Sequence, residues 1–171
     1  MRALVAYATA EGATGGVARR IGAVLRRSGH DVDVLPVGDV TGVEDYDVVV
    51  LGSAVHDQRW PAEASEFLAR ERHVLSRGPL WAFSVGMPDA FRGPARRWVR
   101  GEEEDLLDDV RLQVEPQDHR LLSGVFRPRQ FEWWRRILFR LAGGRSGDFR
   151  DRAAMDRWAR RIARTPHGSR R

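Results

Sequence analysis

The chain has 171 residues, 42% hydrophobic and 31% charged, enough for one domain with a real core; no apolar run is long enough to span a bilayer and no signal-peptide pattern precedes the first strand, so a cytoplasmic location is expected. It contains no cysteine, which excludes disulfides, thiolate catalysis and cysteine-ligated metal, and its 29 basic residues are all arginine, a composition bias before it is a functional signal. The net charge of +5 is unevenly placed: residues 1–119 hold 14 Arg against 20 Asp and Glu, a net of −6, whereas residues 120–171 hold 15 against 4, a net of +11, and a basic tail on an acidic body points to an anionic partner.

Leu4, Val5, Ala6 and Tyr7 form a short apolar run that stops at a string of small and hydroxylated residues from Ala8 to Gly16. This reads as a buried strand entering a tight loop. Val17, Ile21, Val24 and Leu25 then recur at helical spacing, which predicts a helix from about Thr14. Strand, small-residue loop and helix together make an anion-binding geometry. The first helical amides lack intrahelical acceptors, the dipole is positive at that end, and the Thr9 and Thr14 hydroxyls can add further bonds. The spacing is neither GxGxxG nor the GK[ST] ending of a triphosphate loop. A loop of the form T-x-x-G-x-T directly after the first strand instead resembles the phosphate loop of flavodoxin-like FMN proteins. On the residues alone, an ordinary βα turn whose threonine caps the helix stands as the alternative.

Gly29 is placed to cap the first helix, and residues 30–37 alternate as a half-buried strand. Residues 47–52 (DVVVLG) and 80–85 (LWAFSV) are continuous apolar runs that suit central strands covered on both faces. Between them residues 62–75 carry Ala64, Phe67, Leu68 and Val74 at helical spacing. Alternating strands and helices predict βαβ units: a flavodoxin-like three-layer α/β sandwich with a five-stranded parallel sheet of order 2-1-3-4-5 and helices on both faces. Flavodoxin is the type example of that order, and its ligand lies at the switch point between the first and third strands. Candidate ligand residues therefore follow the first, third and fourth strands. Ser53, Ala54, Val55 and His56 follow the third, and Ser84, Val85 and Gly86 the fourth, where small residues let backbone amides approach a flat ring. His56 and Trp60 have aromatic rings able to cover such a ring, but a surface histidine and a tryptophan plugging the sheet edge or stapling the next helix are the favoured structural readings.

From Gly86 the pattern weakens. Residues 94–100 can open a helix, and the acidic run of residues 102–109 reads as a solvated helix face without metal-ligand spacing. Residues 119–126 complete the sheet. Residues 127–141 (RPRQFEWWRRILFRL) then form a basic, aromatic-rich amphipathic helix. Its tryptophans suit headgroup depth and its arginines anionic lipid, while a core helix packed on the sheet with solvated arginines is the alternative and nucleic acid a third. Glycines at 143, 144 and 147 break this helix, and residues 151–164 supply a last one that docks through Ala154, Trp158, Ile162 and Ala163. The organisation expected is a single domain, with a helical insertion at about 127–147.

Taken together, these segments resemble the menaquinone-dependent protoporphyrinogen IX dehydrogenase family, flavodoxin-like enzymes of haem biosynthesis. The similarity runs through LVAYATAEGAT, YDVVVLGSAVH, FSV, SGVFRPRQFEWWRRILFRLAGG and WARRIA. The tail discriminates, because an Arg/aromatic helix followed by a Gly-Gly break is foreign to ordinary flavodoxins. The resemblance implies that Thr9, Ala10, Glu11, Gly12, Ala13 and Thr14 wrap the phosphate of FMN, and that residues 53–56 and 84–86 border its ring. It also implies a porphyrinogen substrate, a quinone acceptor, and peripheral contact with the inner face of the cell membrane. Arg127, Arg129, Arg135 and Arg136, with Trp133 and Trp134, would then meet substrate carboxylates or lipid phosphates. Ala8 stands where the family carries a first hydroxyl, and residues 87–118 have little in common with it. No histidine spacing builds a catalytic triad or metal site, so no catalytic residue is assigned. A flavodoxin-type electron carrier and an FMN-free binding module are the rival readings.

Overall fold

A computed structural model describes residues 1–8, 13–54, 60–86, 114–123, 125–126, 147–148 and 151–166. Strand β1 (Arg2–Ala8) leads to helix α1 (Ala13–Arg27), then to β2 (Asp31–Pro36), a short 3₁₀ turn (Val37–Asp39), β3 (Val48–Ala54), α2 (Ala62–Leu75) and β4 (Leu80–Gly86). Strands β5 (Asp118–Ser123), β6 (Val125–Phe126) and β7 (Gly147–Asp148) precede the last helix, α3 (Arg152–Arg164). The main sheet is parallel throughout and ordered β2-β1-β3-β4-β5, the order expected.

The continuous apolar runs become the three inner strands because both of their faces are covered. On one face, Ala3, Val5, Val48, Val50, Trp81 and Phe83 pack against Val17, Ile21 and Leu25 of α1 and Met155, Trp158 and Ile162 of α3. On the other, Leu4, Ala6, Val49, Leu51 and Ala82 meet Ala64, Phe67 and Leu68 of α2. The Trp158 ring stands edge-on to Trp81 and Phe83, with centroids 6.0 and 6.2 Å away, a favoured aromatic geometry. Phe83 lies fully buried opposite Gly52 in register, and a Cβ at Gly52 would collide with its ring. The small residue in β3 thus makes room for the large one in β4.

Helix α1 ends as its glycine predicts. Gly29 has φ of 85°, and its amide donates to the Arg26 carbonyl while that of His30 donates to Leu25, the paired bonds of a Schellman cap. At α3 the Asp151 carboxylate accepts from the Ala154 amide at 2.9 Å and caps the N-terminus. Arg20 joins α1 to α3 by two parallel 2.9 Å bonds to Asp156.

One expectation needs correcting. Residues 119–126 do not form one strand, because β5 ends at Ser123 and Val125–Phe126 pairs antiparallel with Gly147–Asp148 in a separate two-stranded sheet. A strand continuing past Ser123 would extend beyond Gly86, its last partner in β4, so its hydrogen bonds must be made elsewhere. The β6–β7 pairing brings together the two ends of segment 127–146. That segment, with the helices expected at 94–100 and 127–141 and the acidic run of 102–109, lies outside the described residues.

Candidate functional site

The C-terminal ends of β1, β3 and β4 meet at one edge of the sheet, where the strand order reverses about β1. In register, Ala8 stands beside Ser53 and Ser53 beside Ser84, with Ala54 beside Val85 in the next row. Five of the expected site residues are therefore brought together here: Ser53, Ala54, Ser84, Val85 and Gly86. Ala13 and Thr14 open α1, the helix that follows β1. Thr9, Ala10, Glu11, Gly12, Val55 and His56 lie outside the described residues, as do Arg127, Arg129, Trp133, Trp134, Arg135 and Arg136.

The hydroxyls of Ser53, Ser84 and Thr14 have different fates. The Ser53 hydroxyl donates to the carbonyl of Ala54 at 3.0 Å. That of Ser84 accepts from Trp60 Nε1 at 2.8 Å and lies 2.9 Å from His119 Nε2. An indole nitrogen can only donate, so the Ser84 oxygen is the acceptor there, and the direction of its bond to the imidazole follows the His119 tautomer. Both serines thus contribute small size and backbone to the edge, while their hydroxyls work inside the fold. The Thr14 side chain is fully buried, and its Oγ1 has no hydrogen-bond partner among the described residues. A buried hydroxyl left unpaired costs about 1–3 kcal/mol, so its presence asks for an acceptor. It sits in the first turn of α1, which contains no acidic residue, where free amides and the helix dipole both favour an anion. An acceptor that is also an anion, such as a phosphate, satisfies both.

Trp60 is a core residue. It is 7% exposed within the α2-side cluster, so its ring plugs the fold and does not stand over the edge. Ala8 points into the same cluster and is 1% exposed, which places the methyl group in the core. The Trp60–Ser84–His119 bridge is invisible to local sequence reading, since its members are 24 and 35 residues apart and meet only through strand register. On the far side of the sheet, Asp118 accepts from Trp158 Nε1 at 2.9 Å and is approached by Arg120 and Arg161 at 3.5 and 3.7 Å. Among the described residues no group of histidine and acidic side chains could hold a metal ion, and no helix is long and apolar enough to cross a membrane.

Comparison with known proteins agrees with this fold. The family described as "Flavodoxin domain" matches residues 4–151. A relative, protoporphyrinogen IX dehydrogenase [quinone] of Escherichia coli (strain K12), is 24% identical over 149 residues, which span 86% of this chain and 81% of that protein. Among solved structures, a flavodoxin from the domain Archaea superposes with a TM-score of 0.59 at 18% identity, covering 95% of this chain and 96% of its own. Oxidised Flavodoxin 1 from Bacillus cereus gives 0.59 at 12% identity, covering 97% and 100%.

Proposed function

This chain belongs to the flavodoxin domain family, and from that premise we propose that it is an FMN-dependent oxidoreductase of the quinone-linked protoporphyrinogen IX dehydrogenase type. The observation that carries the flavin reading is Thr14, a buried hydroxyl without a partner among the described residues, at the point where β1 gives way to α1. Thr14 and Ala13, with Thr9, Ala10, Glu11 and Gly12 before them, would hold the terminal phosphate through amides and hydroxyls. The ends of β3 and β4, Ser53 to His56 and Ser84 to Gly86, would flank the ring. FMN held there would supply the redox chemistry that no side chain of this protein offers. The protein's part is to position the flavin and to exclude water from the apolar edge around Val85.

The substrate assignment is supported by the E. coli relative, whose match spans four fifths of its length, and by the Arg/aromatic segment at 127–141. Arg127, Arg129, Arg135 and Arg136 suit porphyrinogen carboxylates or lipid phosphates, and Trp133 and Trp134 suit the headgroup layer that a membrane quinone would require. This makes a cytoplasmic protein with peripheral membrane contact. A second reading, an electron carrier without a small substrate, is favoured by the near-complete coverage of the two flavodoxins.

Purified protein with FMN bound should absorb at about 450 nm. Anaerobic addition of protoporphyrinogen IX and a menaquinone analogue should then yield porphyrin together with quinol. Flavin retention without porphyrin formation leaves the carrier reading, and protein that neither retains nor rebinds FMN removes both.

A further inference from the structure

Helix α3 carries two opposed stripes. Met155, Trp158, Ala159 and Ile162 are buried against α1 and the sheet. Arg157, Arg160, Arg161 and Arg164 repeat the same i, i+3, i+4, i+7 interval two residues on, and all four are exposed. With Thr165 and Pro166 they line a shallow concavity that is largely open to solvent.

Neither packing nor helix stability accounts for the outer stripe as a whole. Arg157 faces Arg160 and Arg161, and Arg164 faces the same two, so every neighbouring pair along it is of like charge and opposes the helix. The helix dipole favours cations only in the last turn, which explains Arg161 and Arg164 but not Arg157 or Arg160. Among the described residues the only carboxylate near the four is Asp118, 3.7 Å from Arg161 and already shared with Arg120 and Trp158. Asp156 is turned inward to Arg20. The concavity therefore keeps a positive field that the described residues do not neutralise.

Its position separates it from the redox site. His30 Nε2 lies 3.2 Å from the Ala163 carbonyl oxygen, and Arg161 reaches Asp118, so this end of α3 sits where β2 and β5 begin. The candidate flavin site is at the opposite edge, where parallel strands end.

We propose that this concavity binds a small phosphate-bearing dianion or polyanion of the pyrophosphate class, at a site independent of the flavin. Arg157 with Arg161, and Arg160 with Arg164, form two guanidinium pairs, each spanning one helical turn and each suited to grip one phosphoryl group through forked bonds. The paired spacing of the four guanidinium groups suits a discrete molecule. A bilayer would meet a flat or convex face with aromatic side chains at headgroup depth, and this stripe carries none.

The test is titration of the full-length protein with sodium pyrophosphate at low salt, followed by calorimetry and by backbone amide NMR. Saturable binding with shifts concentrated at residues 157–166 is expected, and it should weaken about tenfold or more in Arg157→Gln/Arg160→Gln and on adding salt. Arg72→Gln/Arg77→Gln makes the same charge change at and just beyond the end of α2, across the sheet, and should bind as the unaltered protein does; the flavin absorbance should not move in either variant. Absence of saturable binding overturns the proposal, as does an equal loss in both double variants, which would mean net charge alone. Shifts confined to other residues of the unaltered protein overturn it without recourse to any variant. Retention on phosphatidylglycerol vesicles without binding of free pyrophosphate also overturns it, and assigns the stripe to a bilayer.

Discussion

Replacing Ser84 with alanine isolates the bridge that ties three separate chain segments together at the sheet edge. The Ser84 hydroxyl is the acceptor for Trp60 Nε1 at 2.8 Å, and Trp60 is only 7% exposed, so water cannot substitute for it. Stranding one buried donor costs about 1–3 kcal/mol, and the lost oxygen leaves a void too small to add much, so a destabilisation of about 2 kcal/mol is expected. Urea unfolding would register this as a midpoint lowered by about 1 M at an unchanged slope of about 2 kcal/mol/M. The cause can be separated from the void by a double-mutant cycle with Trp60→Phe, which removes the stranded N–H itself. Ser84→Ala should then cost markedly less in the Trp60→Phe background, with a coupling energy of about 1 kcal/mol or more. A loss below about 0.5 kcal/mol, or losses that simply add, would mean that Ser84 is not the buried acceptor of the indole.

Thr14→Val keeps the shape of a fully buried side chain while removing a hydroxyl that lacks a partner among the described residues. Urea unfolding of the apoprotein should show no loss, and fluorescence titration should show FMN bound about tenfold more weakly; unchanged affinity would sink the phosphate role of this hydroxyl. Gly52→Ala drives a Cβ into the ring of buried Phe83 on the adjoining strand and should cost about 1–3 kcal/mol in thermal unfolding, as overpacking does. Burial first, then the hydrogen bond to Asp33, raise the Tyr46 phenol above its ordinary pKa of 10.0. The folded state thus holds this proton more tightly than the unfolded chain does, so the stabilisation is present below pH 10 and is lost as pH rises through the folded value. Tyr46→Phe should flatten that alkaline loss in unfolding curves measured on either side of about pH 10.

The fold was legible because each inner strand announces itself without reference to the others. Runs such as VVVLG and LWAFSV can only be buried on both faces, and the helices between them make the sheet parallel. Gly29 likewise carries its own meaning, since the left-handed residue of a helix cap favours glycine. The break after Ser123 was not legible. Residues 119–126 keep the composition of one strand, and only the length of β4 and the pull of Gly147–Asp148 divide it in two. At the candidate site the strand ends could be placed from topology, and Ser53 and Ser84 do stand side by side.

What the amino-acid order determined alone was therefore local: which segments are strands, which are helices, and that a small-residue loop joins the first of each. Hydrophobic period, glycine chemistry and helix-end electrostatics all act over a few residues, so a linear reading captures them. The roles of individual side chains were settled by tertiary structure. Ser84 turns inward to Trp60 and His119, the Thr14 hydroxyl is buried without a partner among the described residues, and Arg157, Arg160, Arg161 and Arg164 line one shallow concavity. Hydrogen-bond pairing and burial depend on which distant segments arrive at the same place, and that is decided by register and packing across the whole sheet.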